Sequence, residues 1–408
     1  MNFEFFIANR ILKKGKANFS KPIVRLGILS VALGLSVMIV SISIVTGFQQ
    51  QVRNKVIGFG ADIRISGFET STSYEALPIN INQPFYTGDE KFEGVNHIQV
   101  YAMKAGIIKT GEQIEGVIFK GIAPDFDWSF FTDKMVEGRP LMLSDTATGN
   151  NVLISKSLAN RLQLNLGDPL RMYFLIPDEI QPRGRKFTIT GIYETGLEEF
   201  DKLYVIGDIN HIRKLNGWSN EQVGGFELFI DNYDKLDDIG KEVYSMIGYD
   251  LKSETIKDIY PQIFEWLSLH DMNVIILIAL MIMVAGITMI STLLILILEK
   301  TNMIGTLKAL GARNRSIRQI FLLNAVYIIG KGMLWGNAIA LGLSLLQLQF
   351  GFFKLDQESY YVSEVPINLN IWYYLATNIG TLVICTLMLI IPTYIVTRIS
   401  PVKAIRYA

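Results

Sequence analysis

Residues Asn273–Leu298 read NVIILIALMIMVAGITMISTLLILIL, a run of 26 residues without a charge. A helix needs roughly 20 apolar residues to cross the hydrocarbon core of a bilayer, which is about 30 Å thick. A buried helix of a soluble protein normally shows a polar stripe at this length, so that alternative is the weaker one. The run predicts a membrane-spanning helix.

Three further stretches predict spans of the same kind. Gly27–Phe48 and Ile371–Val396 carry no charge, and Ile320–Phe350 carries one, Lys331. The first stretch exceeds the roughly 7–15 apolar residues of a cleavable signal peptide, so we expect an uncleaved anchor. For Lys331 two interpretations stay open: a functional charge facing protein or water, or a side chain that snorkels to the interface.

The charge distribution predicts the orientation. Residues 49–272 hold 22 basic and 33 acidic residues, whereas the basic residues near the span ends concentrate before the first span, in 299–319 and after the last span. Since cytoplasmic loops are enriched in Lys and Arg, we expect both termini and 299–319 in the cytoplasm and 49–272 outside. The basic residues are Arg10, Lys13, Lys14, Lys16, Lys21, Arg25, Lys300, Lys308, Arg313, Arg315, Arg318, Arg398, Lys403 and Arg406. Their place beside the spans fits anionic lipid headgroups and argues against nucleic-acid binding.

The predicted fold is an α-helical membrane protein with four transmembrane helices and a large α+β extracytoplasmic domain. In 49–272, strands alternate with few helices, which is typical of α+β folds. A break at Gly138-Arg139-Pro140 predicts a second subdomain, about 138–225, inserted into the first. The predicted segments are an amphipathic N-terminal helix (1–26), spans 27–48, 273–298, 320–350 and 371–396, a cytoplasmic loop 299–319, an outer loop 351–370 and a cytoplasmic tail 397–408.

The chain shows no pattern of a catalytic or metal centre. Gly330-Lys331-Gly332 is the nearest approach to a Walker A loop, and it lacks the upstream Gly and the following Ser or Thr. Cys385 is the only cysteine, and the three histidines lie far apart. We therefore expect neither catalytic residues, a metal site nor a bound cofactor in this chain.

The loop 299–319 has a helical apolar face. Its stretch Glu299–Ala312 places Met303, Ile304, Leu307 and Leu310 on one side, and Gly311 follows as a helix stop. An ordinary interhelical loop does not need such a face, so docking to a cytoplasmic partner is the favoured interpretation.

Two motifs here are similar to those of a known family. Glu299–Ala312 resembles the E-K-x-x-x-I-G-x-L-K-A-L-G-A loop of FtsX/MacB-type ABC transporter permeases, and Ser400–Tyr407 resembles their terminal P-x-x-A-L-R-Y signature. Within that superfamily the chain is most similar to lipoprotein-releasing LolC/LolE permeases, in Phe6–Leu12, Val45–Ile65 and Tyr360–Ile367.

The resemblance implies a non-catalytic permease subunit in the bacterial inner membrane, paired with a second permease as a homodimer or heterodimer. Its outer domain would be periplasmic and porter-like, and separate ATPase subunits would bind the ATP and Mg²⁺. The ATPase would dock on the 299–312 helix, and a triacylated lipoprotein would pass to a periplasmic chaperone. The expected coupling residues are Glu299, Met303, Ile304, Leu307, Lys308, Leu310 and Gly311.

Acyl chains would need an apolar cleft between spans. Candidates at roughly helical spacing are Met38, Ile42, Val45, Ile282, Val284 and Ile287. Contact with lipid or packing within the protein is the alternative for each of them.

The family's chaperone hook corresponds to Ile176–Lys186 in this chain. Four residues could serve it, namely Pro177, Pro182, Arg183 and Arg185. Prolines stiffen a protruding loop, and arginines bind acidic groups bidentately. A solvated hairpin turn is the alternative.

Three other functions stay open. The first is a MacB-like permease for peptide or drug export, and the second is an FtsX-like regulator that activates a cell-wall hydrolase and transports nothing. The third is a membrane-anchored receptor. The 224 residues of the outer segment argue against the smaller FtsX pattern.

Overall fold

The structure is a computed structural model and describes residues 4–8, 20–68, 75–88, 91–111, 113–144, 148–176 and 179–398. The basic residues at 10, 13, 14 and 16, the tail motif at 400–407 and Pro177 lie outside the described residues. The chain forms two compact units. The helical unit comprises the described parts of Met1–Gln49, Trp266–Lys354 and Glu364–Ala408, and the sheet unit those of Gln50–Glu265 and Leu355–Ser363.

The helices include long apolar ones and short surface turns. They are α1 (residues 4–8), α2 (Ser20–Gly60), α3 (Pro84–Thr87), α4 (Ser129–Thr132), α5 (Lys156–Leu162), α6 (Glu198–Asp201), α7 (Asn210–Asn216), α8 (Leu236–Met246), α9 (Ile256–Ile259), α10 (Pro261–Glu299), α11 (Thr301–Ala309), α12 (Asn314–Phe350), α13 (Gln357–Tyr360), α14 (Ile371–Met388), α15 (Ile390–Thr393) and α16 (Ile395–Arg398).

Among the described residues, four helices are long and apolar enough to cross a membrane: Pro22–Gly60, Pro261–Glu299, Asn314–Phe350 and Ile371–Thr393. At 1.5 Å per residue, the 39 residues of α10 extend well beyond a hydrocarbon core of about 30 Å. Three of the apolar runs predicted as spans therefore lie within longer helices, whereas the fourth, Ile371–Val396, begins with α14 and ends in α16. The number of membrane crossings and their direction stay predictions.

Small residues let two helices of the helical unit approach closely. A Cβ added at Gly332 would lie 2.6 Å from the Cβ of Val31, and one added at Gly336 would lie 2.8 Å from the carbonyl oxygen of Ala32. The two glycines, four residues apart on α12, therefore form a face for close helix packing.

Replacing Gly336 by alanine is expected to lower the melting temperature of the purified chain. The new methyl group meets backbone, which cannot rotate away, and overpacking of this kind costs about 1–3 kcal/mol. Gly342→Ala is the matched control in the same helix, because nothing lies within 4 Å of its added Cβ. Since both changes gain about 1 kcal/mol of helix propensity, Gly342→Ala should be neutral or stabilising. Equal melting temperatures for the two variants would contradict the tight contact.

The strands of the sheet unit are β1 (Ile63–Gly67), β2 (Ile79–Asn80), β3 (Val95–Thr110), β4 (Gln113–Ile122), β5 (Met135–Gly138), β6 (Asn151–Ser155), β7 (Pro169–Phe174), β8 (Arg183–Tyr193), β9 (Tyr204–Asp208), β10 (Gln222–Val223), β11 (Gly225–Ile230) and β12 (Leu251–Thr255). In the described residues, ten of them form one sheet in the order β12-β1-β11-β3-β4-β9-β6-β8-β5, with β7 pairing β3 and β8. Most neighbours are antiparallel, and β4–β9 and β6–β8 are parallel. This mixture is the one expected of an α+β domain.

The predicted insertion at 138–225 shares this sheet with the rest of the unit. Its strands β6 to β9 continue from β3 and β4 through the β4–β9 and β3–β7 pairs. Whether 138–225 is a subdomain of its own stays a prediction.

Candidate functional site

The connection between α10 and α12 holds the predicted coupling residues. α10 ends at Glu299, and Gly311 follows α11 with a φ of +92°. Because glycine adopts a positive φ at little steric cost, Gly311 stops the helix where the sequence predicts.

The apolar face of α11 packs on the protein itself. Ile304 is fully buried in a cluster with Ile317 and Phe321, and Met303 and Leu307 are packed against that cluster. Ile304 is therefore covered by the chain itself, and docking of a cytoplasmic partner through this segment stays a prediction. Helical periodicity indicates that a face is apolar, but it does not say whether the face meets the chain's own helices or another protein.

Two polar coupling residues make contacts within the chain. The Nζ of Lys308 donates to the carbonyl oxygen of Val396 at 2.7 Å, and Glu299 forms an ion pair with Lys300 at 3.2 Å. Leu310 differs from them because it is 80% exposed just after α11. The exposed residues of this segment are Asn302, Thr306, Ala309 and Leu310.

The six predicted cleft residues do not share one environment. Met38 is fully buried, and Ile282 packs against its cluster. Val284 and Ile287 are 56% and 55% exposed on another side of α10. Ile42 and Val45 are half-buried. The structure thus brings Met38 and Ile282 together and leaves Val284 and Ile287 on an outer surface of the helical unit.

Lys331 lies on an exposed side of α12. Its Nζ stands 4.7 Å from the ring centroid of Tyr327, a cation–π distance.

The predicted hook coincides with the β7–β8 hairpin. β8 begins at Arg183 and pairs with β7 from Arg183↔Phe174 to Thr188↔Pro169. Arg183 and Arg185 therefore lie on a strand and not in a loop, so the predicted hook range Ile176–Lys186 extends into β8. Pro182 is exposed before it, and Arg183 forms an ion pair with Glu179. Recruitment of a chaperone stays a prediction.

A buried ionic network in the sheet unit has no counterpart in the sequence predictions. Three adjacent strands bring Arg64, Glu227 and Gln99 into register on one face. Glu227 is fully buried; its Oε2 accepts from Gln99 Nε2 at 2.8 Å, and its Oε1 accepts from Lys120 Nζ at 2.8 Å. Lys120 also donates to the carbonyl oxygen of Phe59 at 2.8 Å. Arg64 Nη2 stands 3.3 Å from Glu227 Oε1.

Burial and charge set the protonation of this network. Burial lowers the pKa of Lys120, and Glu227 opposes this effect. Burial by itself would raise the pKa of Glu227, but Lys120 and Arg64 hold that pKa below its ordinary value. Burial also raises the pKa of Tyr101, beside Arg64, to about 12. The network is thus a cluster of paired charges buried in the sheet unit.

One signal in the sequence could have indicated the network. Arg64 stands between Ile63 and Ile65, and Glu227 stands between Phe226 and Leu228. A single charge within an apolar strand has to be paired when it is buried.

Within the described residues, no group of three or more His, Cys, Asp or Glu side chains is placed to hold a metal ion.

Two family models match the chain. Residues 26–224 match a model described as a MacB-like periplasmic core domain, and residues 275–401 match one described as an FtsX-like permease C-terminal region.

Curated relatives match the chain over nearly its whole length. The lipoprotein-releasing system transmembrane protein LolC of Xylella fastidiosa is 23% identical, over 98% of both chains. The corresponding protein LolE of Haemophilus influenzae is 21% identical, over 99% of both chains. Among solved structures, the periplasmic region of MacB from Actinobacillus actinomycetemcomitans matches 52% of this chain and 97% of its own at 16% identity, with a TM-score of 0.35, too low to establish a shared fold.

Proposed function

The chain belongs to the FtsX/MacB family of ABC transporter permeases, and from this premise we propose that it is the membrane subunit of a lipoprotein-releasing transporter. The observation that carries the proposal is the likeness to LolC and LolE, which runs over 98% or more of each chain and so includes the apolar helices and the sheet unit.

A permease of this family acts with ATPase subunits and a second permease subunit. In the proposed complex the ATPase binds ATP and Mg²⁺, and this chain supplies no catalytic residue. Both termini and residues 299–319 face the cytoplasm, and the sheet unit lies in the periplasm. The positive charge of 299–319 supports this orientation.

The energetics of the cargo require an external source of work. Withdrawing an acyl chain from a bilayer costs about 0.8 kcal/mol per CH₂, so the three chains of a triacylated lipoprotein cannot leave thermally. Apolar side chains that are open on the helical unit suit such chains, and Val284 and Ile287 are the predicted cleft residues with that exposure.

The burial of Ile304 changes the proposed docking surface for the ATPase. We assign docking to the exposed residues of the 301–310 segment, with Leu310 as the apolar contact. The buried face of α11 then transmits movement, because Ile304, Met303 and Leu307 pack against the cluster that includes residues of α10 and α12.

A release assay tests this function. The chain, co-expressed with its ATPase and second permease, is placed in proteoliposomes that contain a triacylated lipoprotein, and a soluble lipoprotein chaperone is added outside. We expect ATP to move the lipoprotein into the soluble fraction and a non-hydrolysable ATP analogue to leave it in the membrane. An ATPase that hydrolyses ATP at its full rate without any release would contradict the proposal.

A MacB-like exporter is the second candidate, and the match of residues 26–224 to the MacB-like periplasmic core favours it. The same proteoliposomes separate the two functions. Stimulation of the ATPase by peptides or drugs, with no effect of lipoprotein, is the result expected of an exporter.

A further inference from the structure

Lys331 is the charged residue within the apolar stretch of α12, and its side chain is exposed. Its Nζ stands 4.7 Å from the ring centroid of Tyr327, which lies one turn earlier in the same helix. The side chain therefore points back towards the start of α12, the direction in which helical side chains lean. An exposed cation of a membrane span needs a polar partner, because hydrocarbon does not solvate it.

The acidic side chains of the helical unit do not provide that partner. The described part of this unit holds four of them, namely Glu4, Asp271, Glu299 and Glu364. Glu299 pairs with Lys300, and Asp271 accepts from Gln49. Among the described residues no ion pair includes Lys331. The described chain thus leaves this ammonium to a partner of another kind.

Helix contacts place the ammonium near the charged boundary of the spans. A Cβ added at Gly27 would lie 3.5 Å from the Cγ2 of Ile328, so these two residues of α2 and α12 lie at the same level. Arg25 stands two residues before Gly27, and the uncharged run of α2 begins directly after it. Because Lys331 reaches back to the ring of Tyr327, its Nζ lies within about 5 Å of the level of Arg25, at about 1.5 Å per residue. This is the level at which lipid headgroups are expected.

The neighbours of the ammonium suit a phosphate group. Tyr327 is 44% exposed, and its hydroxyl is a second donor on the same side of α12 as Nζ. Trp335 lies one turn beyond Lys331 and is 64% exposed. Lysine, tyrosine and tryptophan are the residues that anchor spans at the membrane–water interface.

An apolar surface continues from Lys331 towards the end of α12. Leu334, Leu341 and Leu345 follow at helical spacing, so they share one side of the helix. They are 73%, 41% and 55% exposed. The helix rises by about 21 Å from Lys331 to Leu345, which exceeds half of a hydrocarbon core of about 30 Å. A phospholipid acyl chain therefore has room along this surface.

We propose that Lys331 and Tyr327 bind the phosphate group of a membrane phospholipid, whose acyl chains lie along the exposed leucines of α12. Anionic phospholipids are favoured over zwitterionic ones, because basic residues at a membrane surface attract headgroups of net negative charge. In the orientation proposed above, this lipid belongs to the cytoplasmic leaflet. The site does not depend on which cargo the transporter moves.

Native mass spectrometry of the purified full chain in detergent tests the site with two lipids of equal chain length. Phosphatidylglycerol is anionic, and phosphatidylcholine is its zwitterionic counterpart. We expect saturable binding of phosphatidylglycerol and weaker binding of phosphatidylcholine. Lys331→Gln should weaken the binding of phosphatidylglycerol about fivefold, which is the effect of one basic residue near an anionic membrane surface.

Three further variants separate the site from general effects of charge. Lys331→Arg keeps the positive charge and should keep the lipid. Tyr327→Phe keeps the ring but loses one donor, so it should weaken binding less than Lys331→Gln does. Lys241→Gln removes one charge at an 81% exposed side chain of the sheet unit, and it should bind the lipid normally. Because Lys331 and Tyr327 are exposed, their variants should keep the melting temperature of the unaltered chain.

Other partners of Lys331 predict different results. If an excess of inorganic phosphate removes the lipid, the site binds free phosphate and not a phospholipid. If Lys331 pairs with a carboxylate of a second permease subunit, Lys331→Gln should leave phosphatidylglycerol binding unchanged and lower the amount of that subunit that co-purifies. Either result would overturn the proposal, as would equal affinities of the unaltered chain and Lys331→Gln for phosphatidylglycerol.

Discussion

Replacing Glu227 by glutamine is expected to destabilise the sheet unit by about 3–5 kcal/mol, the usual cost of removing one partner from a buried ion pair. Glu227 is fully buried and is the carboxylate that Lys120 and Arg64 share. Glutamine keeps the shape and can still bond to Gln99, but it leaves the buried charges of Lys120 and Arg64 without a carboxylate. Pulse proteolysis of the purified chain in urea measures the loss.

Two control experiments test whether the loss of stability in Glu227→Gln comes from the buried charges. Asp238→Asn breaks an ion pair with Lys241 whose side chains are 87% and 81% exposed, so it should have no measurable effect. Combining Glu227→Gln with Lys120→Met removes one of the stranded charges and should recover part of the loss, as a double-mutant cycle measures. A Glu227→Gln chain as stable as the parent would mean that water reaches the network.

The pH dependence of the Glu227→Gln loss gives an independent check. Burial lowers the pKa of Lys120 in the folded chain, and loss of Glu227 removes the group that opposes this shift. Near and above neutral pH, Lys120 of the Glu227→Gln variant then binds more protons in the unfolded state than in the folded state. The free energy of unfolding of this variant therefore rises with pH. The deficit of Glu227→Gln should shrink between about pH 7 and 9, below the ordinary lysine pKa of about 10.4. A constant deficit over that range would exclude Lys120 as the stranded charge.

Local sequence signals predicted the elements well. Apolar runs marked the long helices, because no soluble segment of about 20 residues avoids charge so completely. Gly311 forms the predicted helix stop, with a φ of +92° after α11. These features depend on residues next to each other, which a sequence displays directly.

The ionic network depends instead on distant pairing. Glu227 is 107 residues from Lys120 and 128 from Gln99. The strand order β1-β11-β3-β4 that joins them cannot be read from alternation, because alternation gives the face of a residue and not its neighbour. For Arg64, the sequence shows a single charge within an apolar strand, but it does not show which residue pairs with that charge.

The predicted hook range Ile176–Lys186 includes the first residues of β8, because these residues do not have the sequence pattern of a strand. Arg183-Gly-Arg-Lys186 has no apolar alternation, so it is typical of a loop. Pairing with β7 from Arg183↔Phe174 onward extends it as a strand. Backbone hydrogen bonds to a neighbouring strand here outweigh a weak local propensity.

Leu310→Asp is expected to prevent the ATPase from co-purifying with the chain and to abolish ATP-dependent release. Leu310 is 80% exposed, so the change leaves the packing of the helical unit intact. The new carboxylate would have to be desolvated in the docked complex, and an uncompensated charge of this kind is expensive in an apolar contact. The amount of ATPase that co-purifies with the chain in detergent measures the effect. The melting temperature of the chain is measured in parallel, to show that the variant is folded.

Two control variants, Ile304→Asp and Leu175→Asp, show whether the loss of the ATPase comes from the docking surface or from damage to the fold. Ile304 is fully buried within the helical unit, so its aspartate should lower the melting temperature and lose the ATPase only because the fold is damaged. Leu175 is 64% exposed in the sheet unit, so its aspartate should affect neither the fold nor docking. The proposed surface requires a stable Leu310→Asp chain without ATPase beside an unstable Ile304→Asp chain. A stable Leu310→Asp chain that retains its ATPase would move docking away from the 301–310 segment, since no other exposed large apolar side chain of that segment could replace it.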